Sequence, residues 1–274
     1  MYIVNQDKCI GCKKCVADCF PMDIKMNEAG KAEIRNITCI ACGHCIAICP
    51  SNAVSTDNFD MDEVVEYQKE TFDIDPERML NFIKFRRSIR NFKTDPITKE
   101  EIMQIIDAGR FTQTGGNLQD VKFTVITEQL NELKKMTYES LNEAAKIFIS
   151  EFEEGKRESF GYAKLWLKMY ESFEKDPTGF DRLFFNAPAL IVVSADSQVN
   201  GALASSNMEM MINAMGLGTM FSGFFIRALH MNPAISNFIG ITDHTKIVTC
   251  MVVGKPNVKY MRTVPRKKPD VRWI

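Results

Sequence analysis

The sequence has no apolar run long enough to cross a bilayer: stretches such as Ala189–Ala195 (ALIVVSA) are far too short. Its N-terminus, MYIVNQDKC, lacks the basic start, apolar segment and small-residue cleavage site of a secretion signal. A soluble, cytoplasmic protein is expected. Excess charge is also missing. A net charge of −1 gives no global field for nucleic acid or an anionic membrane. No G-x-G-x-x-G follows a strand, so a dinucleotide fold, and with it NAD(P)H, is not implied. Cysteine is almost absent beyond residue 49, where only Cys250 occurs. Disulfide scaffolds spread their cysteines through small secreted domains, and that pattern is excluded here.

What is present is concentrated at the front. Eight of the nine cysteines fall in CIGCKKCVADC (Cys9–Cys19) and CIACGHCIAIC (Cys39–Cys49), which repeat one spacing, C-x2-C-x2-C-x3-C. Three thiolates on one tight loop, with a fourth nearby, suit an iron–sulfur cluster. Structural zinc instead uses C-x2-C pairs with a longer spacer, and the third close cysteine would be superfluous. The segment resembles the bacterial two-[4Fe–4S] ferredoxin domain over about residues 1–57. In that arrangement each motif lends its last cysteine to the other cluster. The resemblance therefore implies ligand sets Cys9, Cys12, Cys15 and Cys49, and Cys39, Cys42, Cys45 and Cys19. Pro50 follows Cys49 as the pattern expects, whereas the proline after Cys19 is displaced to Pro21. His44 is read as a neighbour of a cluster, because all eight ligand positions are filled.

A polar, acidic stretch over 58–77 reads as a linker with one helical turn. From residue 78 the texture is that of an ordinary folded domain reaching 274. Leu80 and Ile83 have helical spacing. Thr98 and Glu101 form a T-x-x-E capping box ahead of Ile102, Ile105 and Ile106. Strands are expected at Val121–Thr127, Ala189–Ala195 and Lys246–Gly254, the last two covered on both faces. A charged, aromatic helical region runs from Leu130 to about Lys175. Asn200–Gly216 is a helix rich in small residues and Met, read as a core or interface element. The tail from Pro256 is basic and extended.

In FRRSIRNF, Arg86, Arg87, Ser88 and Arg90 offer guanidinium groups and a hydroxyl suited to a phosphate. Arg86 and Arg87 could instead simply cap a helix C-terminus. TQTGGNLQD supplies the carboxamides of Asn117 and Gln119, which match a flavin or base edge or else serve a turn. Gly216 and Gly218 either end a helix or approach a ligand. Cys250 reads as an inert core thiol.

The order of these motifs, with GLGTMFSGF and a basic tail, resembles the nitroreductase-like FMN flavoproteins over about residues 78–274. The likeness implies an α+β sandwich that forms a homodimer with FMN at the subunit interface. By position, Arg86, Arg87 and Ser88, with Arg266 and Lys268 of the tail, would hold the phosphate. Arg90 would approach the pyrimidine side. Thr114, Asn117 and Gln119 would line the site from the other subunit, and Ser222 and Gly223 would lie near N5. Many relatives carry an acidic residue where this chain has Ser222.

The expected function is an iron–sulfur flavoprotein oxidoreductase. Two [4Fe–4S] clusters would pass electrons to FMN and on to a small oxidised acceptor of the nitroaromatic, quinone or enone class. An external donor, such as a ferredoxin or a reductase, would supply them. No catalytic acid or base is indicated. An electron carrier or redox sensor, or a flavin-modifying enzyme, are the alternatives.

Overall fold

The structure is a computed structural model and describes residues 1–150 and 157–274. It divides into two compact units: Met1–Asp75 together with Thr114–Gln119, and Pro76–Gln113 together with Asp120–Ile274.

The first unit is built on two antiparallel pairs of three-residue strands. β1 (Tyr2–Val4) pairs with β4 (Val54–Thr56), and β2 (Ile24–Met26) with β3 (Ala32–Ile34). Between them stand α1 (Lys14–Asp18) and α2 (His44–Ala47), each carrying the third cysteine of a motif. The sequence repeat is also a backbone repeat. Left-handed residues recur thirty positions apart at Gly11 and Ala41, Lys13 and Gly43, and Met22 and Asn52. At Gly11 a side chain is excluded, because a Cβ would lie 2.4 Å from the Gly30 carbonyl oxygen. Asp23 is fully buried and its carboxylate accepts the N–H groups of Asn36, Ile37 and Thr38 at 2.7–3.0 Å. That bracket fixes the chain just ahead of Cys39. Burial opposes ionisation of Asp23, but these donors outweigh it and hold its carboxyl below the ordinary value. The stretch expected as a linker holds a 3-10 turn at Met61–Glu63 and the short helix α3 (Lys69–Phe72).

The second unit centres on a four-stranded antiparallel sheet. Its strands are β5 (Lys122–Ile126), β6 (Ala189–Ser194), β7 (Gly218–Phe221) and β8 (Ile247–Gly254), in the order β5-β6-β8-β7. The near-continuous apolar character of β6 and β8 has a direct cause. Leu190, Val192, Cys250 and Val252 enter one core, while Ala189, Ile191, Val193, Met251 and Val253 enter another. Alternate residues thus face opposite layers. The first layer is α6 (Leu130–Ser150), α7 (Arg157–Lys175), α9 (Gly223–Met231) and α10 (Pro233–Phe238). The second is α5 (Lys99–Arg110) and α8 (Gln198–Ala214). The Thr98 capping box forms as its spacing predicts: Thr98 Oγ1 accepts the Glu101 N–H at 3.1 Å, and Glu101 Oε2 accepts the Thr98 N–H at 2.8 Å. The helical region expected over Leu130–Lys175 is present as α6 and α7, and its central part, 151–156, lies outside the described residues. α4 (Pro76–Phe85) forms where expected, but Leu80 and Ile83 stay exposed and none of its residues is buried.

Asp120 ties β5 to the start of α8. Its carboxylate accepts the Ser197 N–H at 2.8 Å and the Asn200 side-chain amide at 2.7 Å. Partial burial opposes ionisation, yet these donors outweigh it and lower the carboxyl below 3.8. A depressed folded-state value means that Asp120 contributes its full stabilisation above pH 3.8 and loses it as pH falls through the lower folded value. Asp120→Asn is expected to cost the second unit about 1–2 kcal/mol at neutral pH. It should also flatten the acid side of the stability profile, read by urea unfolding across the acid range.

Candidate functional site

The two motifs wrap two separate cavities. One is lined by Cys9, Cys12, Cys15 and Cys49, the other by Cys19, Cys39, Cys42 and Cys45. In each, three cysteines come from one motif and the fourth from its counterpart. All eight thiols are free of disulfides. The chain turns back on the two fourth cysteines with backbone donors. Ala53 N–H reaches Cys49 Sγ at 3.3 Å, and Asp23 N–H reaches Cys19 Sγ at 3.4 Å. Ala32 N–H donates to Cys9 Sγ at 3.4 Å. Such donors stabilise anionic sulfur. At Cys49 burial would raise the thiol, but the backbone N–H groups of Ala53 and Ser51 and the Ser51 hydroxyl offset it and hold the thiol below its usual range. Cys45 is pushed up to about 12, chiefly by burial, and Cys15 is raised for the same reason. Four soft donors converging on one small cavity, with N–H groups aimed at sulfur, fit an iron–sulfur cluster. His44 lines the second cavity but its Nδ1 pairs with Asp18 Oδ2 at 3.1 Å, outside the cysteine quartet.

The second unit gathers the basic motif at the end of α4. Arg86 is held by Glu209 of α8, Nη1 to Oε2 at 2.6 Å, and its buried Nε has no partner. A glutamate so far along the chain was not visible as a partner in the sequence. An orphaned buried Nε is a donor that a phosphate oxygen would satisfy, so the residues fit that group, with part of the Arg86 charge already balanced. Arg87 Nη1 donates to the Arg86 carbonyl at 3.4 Å. Ser88 is exposed, and its carbonyl accepts the Tyr260 hydroxyl at 3.5 Å, which brings the start of the tail beside the motif. Arg266 and Lys268 lie on the exposed part of that tail. Ser222 is buried, with its hydroxyl directed at the Leu183 carbonyl at 3.4 Å. Gly223 opens α9, and a Cβ there would meet open space.

Arg90 lines a cavity of about 440 Å³ with Lys168, Arg182, Phe180, Phe185 and Phe224. Sequence reasoning found Arg90 and the neighbourhood of Phe224. It missed Lys168 and Arg182, which belong to no local motif. Thr114, Asn117 and Gln119 are placed in the first unit. Thr114 Oγ1 accepts the Gln119 N–H at 3.0 Å, and the Asn117 amide donates to the Ala41 and Ile40 carbonyls at 2.8 and 3.2 Å.

Comparison with known proteins matches residues 1–52 to the 4Fe-4S dicluster domain and residues 83–255 to the nitroreductase family. A stretch of 46 residues is 50% identical to a component of the ion-translocating oxidoreductase complex of Methanosarcina acetivorans, covering 17% of this chain and 17% of that protein. Two solved structures share the fold of the larger part. An FMN-dependent nitroreductase from Clostridium difficile R20291 is 18% identical with a TM-score of 0.52, over 72% of this chain and 100% of its own. A nitroreductase with bound FMN from Bacteroides fragilis is 19% identical with a TM-score of 0.51, over 70% of this chain and 97% of its own. With an α+β sandwich behind a dicluster domain, and a family match over more than half its length, the chain belongs to the nitroreductase family.

Proposed function

We propose that the chain is an FMN-dependent iron–sulfur oxidoreductase that reduces a small oxidised acceptor of the nitroaromatic, quinone or enone class. The observation that carries the reading is the pair of four-cysteine cavities in a chain of this family. Bound clusters supply single electrons, and bound FMN accepts them singly and releases them in pairs. Cys9, Cys12, Cys15 and Cys49 would hold one cluster, and Cys39, Cys42, Cys45 and Cys19 the other. Arg86, Arg87 and Ser88 would hold the FMN phosphate, with the tail residues Arg266 and Lys268 as further donors. Ser222 and Gly223 would flank the reactive edge of the ring.

The residues of the Arg90 cavity set what can be reduced. Phe180, Phe185 and Phe224 offer flat apolar walls, and Arg90, Lys168 and Arg182 bring positive charge to the same cavity. That combination favours a planar, electron-poor acceptor and stabilises negative charge as it develops. Its volume falls in the range of small-molecule sites, roughly 300–1,000 Å³. Anaerobically purified protein is expected to contain about eight irons and one FMN per chain. It should turn over a panel of such acceptors with a low-potential donor. Iron-free or flavin-free protein overturns the reading. If every acceptor is reduced no faster than by free flavin, an electron carrier takes its place.

A further inference from the structure

The two cysteine loops have the same spacing but are held differently: Lys31 Nζ donates to the Cys9 carbonyl of the first, whereas a carboxamide and a phenol hold the second. Between Cys39 and Cys42 lie Ile40 and Ala41, and Ala41 has φ +54°, a conformation costing a residue with a side chain about 1 kcal/mol or more. The first loop places Gly11 at the equivalent position, where this cost is absent. The strained peptide is pinned from two directions. Tyr2 donates its hydroxyl to the Ala41 carbonyl at 3.0 Å, and Asn117 Nδ2 donates to the same oxygen at 2.8 Å and to the Ile40 carbonyl at 3.2 Å.

Asn117 is itself pre-shaped for this contact. It ends the 3-10 turn Gly115–Asn117, and Gly116, Asn117 and Gln119 all have positive φ. The turn is closed by Asn117 N–H to the Thr114 carbonyl, Leu118 N–H to the Gly115 carbonyl, and Gln119 N–H to Thr114 Oγ1. Both amide hydrogens of Asn117 can therefore be spent on consecutive carbonyls of one cysteine loop. A bond accepted by a peptide carbonyl polarises that peptide and strengthens its N–H as a donor. The donor end of the neutral amide dipole also faces the loop, which favours the reduced, more negative state of whatever the loop holds.

We propose that Asn117 is a positioning residue for the second cysteine loop, and that its two hydrogen bonds make the cluster held by Cys39, Cys42, Cys45 and Cys19 easier to reduce. This rests on the reading that the quartets hold clusters. In a titration with dithionite each cluster takes up one electron, and the contact-shifted β-proton resonances of the ligating cysteines follow the two clusters separately. Asn117→Asp keeps the shape of the side chain, removes both donors and adds a negative charge. It is expected to lower the reduction equilibrium constant of the second cluster about tenfold, 59 mV for one electron, with the first changed less than about twofold. Asn117→Ala, which adds no charge, should move the same cluster in the same direction by about threefold, the worth of one modest hydrogen bond. Selective loss of the second cluster's resonances would also support the assignment. An unchanged second cluster, equal shifts in both, or unselective loss of both would overturn it. The iron content of the unsubstituted protein separates the two levels: without iron the quartet reading fails, whereas with about eight irons only the role of Asn117 is in question.

Discussion

Cys49→Ala is expected to remove the cluster of the other motif and to leave the cluster of its own. Cys49 lies at the end of the second quartet in sequence, yet in space it lines the cavity of Cys9, Cys12 and Cys15. Its sulfur accepts the Ala53 N–H at 3.3 Å, a donor that would stabilise it as a thiolate ligand. Loss of one ligand in four should drop the iron content from about eight to about four per chain. The surviving resonances should be those of Cys19, Cys39, Cys42 and Cys45. Cys19→Ala should give the mirror result. If Cys49→Ala instead erases the signals of Cys39, Cys42 and Cys45, each motif closes on itself and the crossed assignment is wrong. Iron analysis with the same proton spectra decides it.

The second large effect follows from how little else the first unit has to hold it. Its buried apolar residues are Tyr2, Cys9, Cys15, Ile24, Ala32, Ala53 and Val54, of which two are cysteines of the cavities, and its strands are three residues long. A core that small does not offset the entropy of ordering the chain, so metal binding must contribute folding free energy. Removing iron with a chelator under reducing conditions is expected to unfold the first unit and to leave the second folded. Amide protection should vanish from β1–β4 and persist in β6 and β8, which lie between two layers of their own. Cys250 provides an independent reading. It is buried in β8, and burial pushes its thiol far above the ordinary range. Eight thiols should react rapidly with an alkylating reagent after iron removal, and the ninth only when the second unit is denatured. Retained protection in the first unit of the iron-free protein would show that its fold does not depend on metal.

The parts of the molecule legible in the sequence were those written in local spacing. A C-x2-C-x2-C loop states its geometry within seven residues, and the Thr98 box states a helix start within four. The doubly covered strands announced themselves because β6 and β8 face apolar layers on both sides. What the sequence did not disclose were partnerships between distant residues. Nothing near Arg86 points to Glu209, and nothing near Arg90 points to Lys168 or Arg182. Asn117 is the sharpest instance. Its type and its glycines read either as a ligand edge or as a turn; the turn is there, and the carbonyls its amide meets belong to Ile40 and Ala41. An amide side chain reads the same in sequence whether it serves a cofactor ring or a peptide. The exposed face of α4 has a similar origin: helical spacing fixes which residues share a face, and says nothing of what covers it.

The crossing of the quartets also imposes an order on biosynthesis. A ribosome that has delivered Cys9, Cys12 and Cys15 has delivered three walls of a cavity whose fourth, Cys49, is still to be made. The second cavity uses Cys19, made early, and waits for Cys39, Cys42 and Cys45. Neither site can be closed from one motif alone. Iron offered to the nascent chain too soon would meet incomplete sets of thiols: the second set is complete once residue 45 has left the exit tunnel, and the first only after residue 49.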